Sequence, residues 1–436
     1  MPDTDRDTIF APATGQTQSA ISIIRISGPR AHAVLSDLID GDLPEMRRLS
    51  RRSLIGSDSA VIDDGMVVCF PDGASFTGED MAEIHCHGSR AVLAAVSENL
   101  RELGCRMAYP GEFSRRAFER GRLDLAEATG LSDLIAAETE LQRKQAMRIY
   151  SGALSAVVED WRHRLLRACA LLEVSIDWVD EDVPEDVLPE VHEILTALCD
   201  EVSGELRKSK ASQRLRSGFE VAIIGPPNVG KSTLLNCLAG REAAIVSNVP
   251  GTTRDVIEVR YDLEGLPVTF LDTAGLRETV DEVEIAGIKL AEKRARDADL
   301  RLILSSVDGH CDPINNALFQ AGDIHVWSKS DLAVSSNGVS ISAKTGDGIA
   351  ALIEQISLSL KADLGDIGLV AHLRHEESLR AFVLVVREVL DQLSTMDFEI
   401  SSEHLRMGAR QLESIVGRID TEAVLDSVFS SFCLGK

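Results

Sequence analysis

The stretch Phe219-Glu220-Val221-Ala222-Ile223-Ile224-Gly225-Pro226-Pro227-Asn228-Val229-Gly230-Lys231-Ser232 decides the fold. Val221 to Ile224 is a short apolar run of the kind a fully buried strand needs. Residues 225–232 fit G-x-x-x-x-G-K-[ST], and a helix is expected to start near Ser232. In that setting Gly225 and Gly230 let the backbone fold around phosphate oxygens with its N–H groups pointing inward. Lys231 is then placed to reach the β- and γ-phosphates and Ser232 to ligate magnesium.

Downstream, Val268-Thr269-Phe270-Leu271 reads as a second buried strand ending in Asp272-Thr273-Ala274-Gly275. An acid at 272 suits magnesium held through water, and the Gly275 N–H suits a γ-phosphate. Between the two motifs lies Gly251-Thr252-Thr253-Arg254-Asp255, a loop of the kind that orders around nucleotide and metal. Ser328-Lys329-Ser330-Asp331, after Val326-Trp327, stands where a guanine motif N-K-x-D is expected. Asp331 can accept from guanine N1 and the exocyclic amine, which adenine does not offer, and Lys329 can pack over the base. Backbone N–H groups of Ser342-Ala343-Lys344 suit guanine O6. Ser328 replaces the asparagine, so one tethering amide is missing and a weaker hold on GTP is expected. Strand and helix signals alternate to about residue 362, which predicts a mainly parallel α/β sheet.

On both sides of this block the pattern is helical. Val158, Trp161, Leu165, Ala168 and Leu172 step by three and four, on one helical face. Helical pattern returns after Leu369. The nucleotide domain therefore reads as an insertion whose two ends must lie close together. Residues 1–120 mix short β runs with one helical stretch near 89–103. The expected division is an α/β domain over 1–120, a discontinuous helical domain over 121–215 and 369–436, and a P-loop domain over 216–368. The full length of 436 residues suits about three domains.

Composition excludes some classes. The net charge of −25 argues against a surface that coats polyanions, and 4% aromatics against a base-stacking platform. Eight cysteines are scattered without a CxxC pair. The opening residues lack a basic-then-apolar leader, and no apolar run approaches about 18 residues. A cytoplasmic protein without membrane association is expected.

Further blocks carry a resemblance: Ser75-Phe76-Thr77-Gly78-Glu79-Asp80, the His87-Gly88 step, Pro110-Gly111-Glu112-Phe113 with Arg116-Ala117-Phe118, Leu123-Asp124-Leu125, Ala274 to Thr279, and Phe432-Cys433-Leu434-Gly435-Lys436. With the phosphate loop, these make the chain resemble, essentially end to end, the MnmE (TrmE) family of bacterial tRNA-modification GTPases. The resemblance implies an N-terminal folate-binding domain that forms a constitutive homodimer, and a helical domain carrying the inserted GTPase. It implies an FAD-dependent partner, MnmG (GidA), joined in a heterotetramer. The reaction so implied adds an aminomethyl or carboxymethylaminomethyl group at C5 of the wobble uridine of certain tRNAs, with 5,10-methylene- or 5-formyl-tetrahydrofolate as the one-carbon source.

Residue roles carry over by position. Leu276 stands where many switch GTPases place a water-orienting glutamine, and the family uses a potassium ion where others use an arginine finger. The resemblance implies potassium ligation by Asn228, the carbonyls of Ser247 and Val249, and Thr252. It implies magnesium ligation by Ser232 and Thr253, and catalysis by Glu284 with Lys231 and Asn228, Glu284 orienting the attacking water. GTP contacts fall at Asn228, Val229, Gly230, Lys231, Ser232 and Thr233, at Ser247, Thr252 and Thr253, and at Asp272, Thr273, Ala274 and Gly275. The base contacts fall at Lys329, Asp331, Ser342, Ala343 and Lys344. Folate positions are Arg25, Glu83, Arg122 and Lys436. Arg122 stands where a lysine is common, which keeps charge and changes geometry. The stretch before Arg25, Gly15 to Ala20, departs from the usual glycine-rich one.

Two readings remain for Cys433: a reactive thiol near the folate, or a small residue packing the chain end. In His85-Cys86-His87, strand alternation places the two histidines on one face and Cys86 on the other. The alternative class is a GTP-switch RNA or ribosome assembly factor without covalent RNA chemistry, and a third is a generic signalling GTPase. The PGEF block and FCLGK terminus separate the leading reading from the assembly factor, and the implied potassium cage, which activates hydrolysis internally, separates it from the signalling GTPase.

Overall fold

A computed structural model describes residues 7–15, 18–177, 187–241, 243–245, 258–272, 293–306, 322–332, 338–393, 398–418, 422–430, 432 and 435. Contacts divide the chain into two units, one of residues 1–132 with 416–436 and one of residues 133–415.

The first unit is built on a six-stranded sheet. Its strands are β1 (Ile9–Pro12), β2 (Ser19–Ser27), β3 (Ser50–Ile55), β4 (Val61–Phe70), β5 (Met81–Gly88) and β6 (Arg106–Met107), in spatial order β3-β4-β5-β2-β1-β6. Period-two alternation sorts the two faces. Ile24, Ile26, Ile84, Cys86, Val67 and Cys69 face a core closed by helices α1 (Ala31–Leu38) and α2 (Arg90–Glu102). Arg25, Glu83 and His85 therefore lie on the opposite face, and register pairs Arg25 with Glu83 across β2 and β5. Ser89 caps α2 by accepting from the Val92 amide at 3.1 Å.

That second face is walled by helix α3 (Glu112–Glu119), which begins in the PGEF block. Arg116 of α3 is 2% exposed and donates to Glu79 Oε2 at 3.1 Å, Glu112 Oε1 at 3.1 Å and Asp7 Oδ1 at 2.6 Å. Ser27 Oγ donates to Glu79 Oε2 at 2.9 Å. Burial alone would raise the Glu112 carboxyl pKa, but hydrogen bonds and charge from Arg106 and Arg116 hold it below its usual range.

The second unit carries the helices and the other sheet. Helix α6 (Ala153–Asp177) buries Val158, Trp161, Leu165, Ala168 and Leu172, as the spacing predicts. It packs along α7 (Leu188–Ser217), where Trp161 Nε1 donates to Glu201 Oε2 at 3.0 Å. From the end of α7 the chain runs straight into the sheet, whose order is β13-β12-β11-β7-β10-β9-β8. Its central strands β7 (Phe219–Ile224), β10 (Leu266–Asp272), β11 (Leu300–Ser306) and β12 (Ile324–Ser328) pair in parallel. Parallel pairing extends to β13 (Val339–Ser340), while β8 (Ala244–Ile245) and β9 (Glu258–Leu263) make an antiparallel edge. The core holds Phe219, Val221, Phe270, Leu302 and Val326 under helix α8 (Lys231–Ala239) and the returning helix α9 (Ile349–Leu364). Helices α10 (Leu373–Gln392) and α11 (Phe398–Val416) follow, while the last helix, α12 (Glu422–Ser430), belongs to the first unit. Among the described residues no helix is long and apolar enough to cross a membrane.

The two crossings into the sheet are joined. Asp133, on helix α4 (Leu125–Ala136), accepts from Arg216 Nε at 2.8 Å through Oδ1 and meets His372 Nε2 at 2.7 Å through Oδ2. Arg216 stands just before β7 and His372 caps α10 just after α9. Ser212 Oγ donates to Gly368 O at 3.1 Å and accepts from Gly368 N at 2.8 Å. Burial would raise the Asp133 pKa, but His372 and Arg216 hold it below the usual value.

Beside this junction lies the fully buried His375. Its Nε2 accepts from Arg374 at 2.8 Å, so the ring proton sits on Nδ1, which has no hydrogen-bond partner among the described residues. Burial, then the charges of Arg374, His372 and Arg216, push its pKa far below 6.5. Below pH 6.5 the unfolded chain therefore binds a proton that the folded chain refuses, so folding stability falls with acidification, by at most about 1.4 kcal/mol per pH unit. We expect the urea midpoint to drop between pH 7 and pH 5.5, and His375→Gln to flatten that slope. Equal slopes in the two proteins would refute the assignment.

Candidate functional site

The phosphate loop forms where the sequence places it, between β7 and α8. Gly230 has φ +109°, a conformation open to glycine and strained for other residues, and it turns the chain into α8. Asn228 has φ +61°, which asparagine tolerates better than most side chains. Lys231 is 7% exposed, and its Nζ donates to the carbonyls of Gly225 at 2.5 Å and Pro226 at 3.0 Å. Burial lowers the Lys231 pKa, while the Asp272 carboxylate works against that shift. The ammonium is thus tethered inside the loop that would cradle phosphates, above the positive end of α8.

Asp272 pairs in register with Ile223, which sets its carboxylate level with the start of the loop. Ser232 Oγ donates to Asp272 Oδ2 at 2.9 Å. A hydroxyl and a carboxylate converge there on one point beside the phosphate cradle. Hard oxygen donors of this kind fit a magnesium ion, so the residues present suit the group expected of them. Thr233 follows on α8.

The base segment lies at the end of β12. Ser328 is 4% exposed, and its Oγ sits 2.6 Å from Val229 O and 3.2 Å from Ser305 O. The Ser328 hydroxyl thus ties the base segment to the phosphate loop and to β11, contacts that the motif alone does not reveal. Lys329 adopts φ +63°. Asp331 Oδ1 accepts from Ser342 Oγ at 2.9 Å, so the SKSD and SAK segments are fastened to each other. Ser342 Oγ also accepts from Thr345 N at 3.3 Å, and Ala343 and Lys344 lie in that same turn. Ser247, Val249, Thr252, Thr253, Thr273, Ala274, Gly275 and Glu284 lie outside the described residues.

In the first unit, Arg25 donates to Glu83 Oε1 from Nε at 3.1 Å and from Nη2 at 3.0 Å. Its guanidinium lies 5.2 Å from the Phe76 ring centre and 5.8 Å from that of Phe113. Its Nη1 meets Gly435 O at 3.5 Å. Gly435 has φ +91°, and a Cβ there would stand 2.2 Å from Pro12 O, so the end of the chain is pressed onto β1. Arg122 lies beside the SFTGED turn, its Cγ 3.1 Å from where a Gly78 Cβ would be. Lys436 and Cys433 lie outside the described residues. A planar cation held by an acid between two aromatic faces suits a flat heterocycle with hydrogen-bonding edges.

Sequence reasoning missed several contacts of this face. Phe76 and Phe113 were marks of a family, not partners of Arg25. His85 Nε2 lies 3.5 Å from Glu83 Oε2, and His87 Nδ1 pairs with Asp63 Oδ1 at 2.7 Å. The spacing H-C-H predicted their shared face, and Cys86 is indeed buried on the other. Among the described residues no cluster of His, Cys, Asp or Glu is arranged to hold a metal.

A strand–loop–helix cradle on a mainly parallel sheet, carrying Lys231 over it and Ser232 with Asp272 beside it, defines a P-loop nucleotide hydrolase. Residues 125–433 match the family model described as the MnmE helical domain, and residues 8–122 match that of the GTP-binding protein TrmE N-terminus. Proteins named tRNA modification GTPase MnmE are 50% identical in Dinoroseobacter shibae, 48% in Roseobacter denitrificans and 49% in Ruegeria pomeroyi. Each alignment covers 99% of this chain and 100% of the relative. The chain belongs to the MnmE family of tRNA modification GTPases, and is a GTP hydrolase of tRNA modification.

Proposed function

We propose that the protein is a potassium-activated GTPase that modifies C5 of the wobble uridine of certain tRNAs. It adds an aminomethyl or carboxymethylaminomethyl group with a tetrahydrofolate one-carbon donor. It works as a homodimer with an FAD-dependent MnmG (GidA) partner, in the cytoplasm. The observation that carries this reading is the presence in one chain of the Lys231–Ser232–Asp272 cradle and the aromatic-flanked Arg25–Glu83 pair.

In this reading Lys231 leaves the Gly225 and Pro226 carbonyls for the β- and γ-phosphate oxygens. Ser232 and Thr253 hold magnesium, with Asp272 reaching it through water. Magnesium held by these residues would supply positive charge to offset that developing on the phosphates. Asn228, the carbonyls of Ser247 and Val249, and Thr252 hold potassium. Asp331 accepts from guanine N1 and the exocyclic amine, Lys329 covers the ring, and the Ser342–Lys344 amides face O6. Glu284 orients the attacking water, a duty Leu276 has no group to perform. Arg25, Glu83, Arg122 and Lys436 hold the folate, the carboxylate at the pterin edge and the cations at its tail.

Glu284→Ala is expected to leave GTP affinity nearly intact and to slow hydrolysis by about 10²–10⁴, the usual range for a lost acid–base group. Retained potassium-stimulated turnover would remove Glu284 from this role. The GTPase rate is expected to rise far more with potassium than with sodium, and equal rates would refute the cage. Nucleoside analysis of tRNA from a strain lacking the gene tests the whole reading. Loss of the C5 modification is expected, and unchanged wobble uridine would instead leave the assembly-factor class.

A further inference from the structure

The hydroxyl of Ser328 lies between the two halves of the nucleotide site. It is 2.6 Å from the Val229 carbonyl in the phosphate loop and 3.2 Å from the Ser305 carbonyl on β11. A serine hydroxyl owns one proton, and both of these neighbours are acceptors only. That proton is spent on the backbone, so position 328 has no donor left for a ring nitrogen of a bound base. The contact is close as well as polar: the Ser328 Cβ stands 4.0 Å from where a Cβ on Gly230 would be. Asp331, by contrast, is fixed from the other side, by the Ser342 hydroxyl at 2.9 Å.

We propose that Ser328 is a positioning residue that clamps the phosphate loop to the base segment through the Val229 carbonyl, and takes no part in reading the base. The proposal rests on the assignment of Lys329 and Asp331 to the base. It departs from what the missing asparagine suggests. Position 328 governs how tightly every phosphate-bearing nucleotide is held. The choice of guanine falls to Asp331 and the Ser342–Lys344 turn.

The test is competition against a fluorescent GTP analogue, using the full-length protein with GTP, GDP and 7-deaza-GTP, which lacks the N7 acceptor. Ser328→Ala leaves the buried Val229 carbonyl short of a donor and is expected to weaken all three by the same factor, about tenfold. The GTP to 7-deaza-GTP ratio stays at its wild-type value. Ser328→Thr, which keeps the hydroxyl, restores binding. Ser328→Cys, close in size with a weak donor, gives a smaller but equally uniform loss, and decides the matter should the alanine variant fail to fold. Wild-type affinity in the alanine or cysteine variant would overturn the clamp. So would a loss confined to GTP over 7-deaza-GTP, because it would mean that residue 328 reads N7. Asp331→Asn is measured separately with xanthosine triphosphate. A shift of preference from GTP to the xanthine nucleotide is expected, and no shift would remove Asp331 from the base site while leaving the Ser328 result to stand on its own.

Discussion

One carboxylate closes the neck of the inserted domain. Asp133 has two oxygens and gives one to Arg216, where the chain leaves the helices, and one to His372, where it returns. The cost of breaking this set falls on Asp133, the more buried member, whose charge would be left without its partners, whereas Arg216 stays in water. Ser212 repeats the arrangement with neutral groups, holding Gly368 by both its carbonyl and its amide. These bonds hold together the two points at which the chain enters and leaves the sheet. The neighbouring Arg374 adds positive charge beside the neutral His375, with no carboxylate paired to it among the described residues, and burial brings the Arg374 pKa down to about 10.

The nucleotide site shows how far sequence carries and where it stops. The strand before Gly225, the loop and the helix after Gly230 are contiguous, so local pattern is enough to place them. The stripe from Val158 to Leu172 is equally local, and it is buried as its spacing requires. The Ser328 tether is not local: it joins the end of β12 to a loop 99 residues earlier. Its existence depends on β12 and β7 flanking β11 in one sheet, which no window of sequence contains. For the same reason the antiparallel β8–β9 edge was folded into a general expectation of parallel strands. The departure from N-K-x-D was legible, and its consequence was not, because the consequence lies in what the hydroxyl meets.

The signature blocks of the first unit have a similar lesson. SFTGED and PGEF mark a family, yet their charged residues serve the architecture first. Glu79 and Glu112 converge on the buried Arg116, and Arg106 joins the same network from β6. The network pins helix α3 against the sheet and so sets Phe113 beside Arg25. The block's chemistry is therefore delivered through positioning, several bonds away from any ligand.

Arg25 is held in three unlike ways: by an ion pair to Glu83, by two aromatic rings, and by the carbonyl of Gly435. These holds are redundant for placing the guanidinium plane, since any one of them can be weakened while the others still orient it. Substitution is accordingly asymmetric. As far as the orientation of Arg25 goes, the loss of one neighbour leaves other holds in place, whereas a change at Arg25 removes all of them together. A lysine in its place would keep the charge and forfeit the plane on which all the holds act. The orientation of this corner of the molecule is thus shared among the neighbours, while the plane they orient belongs to Arg25 alone.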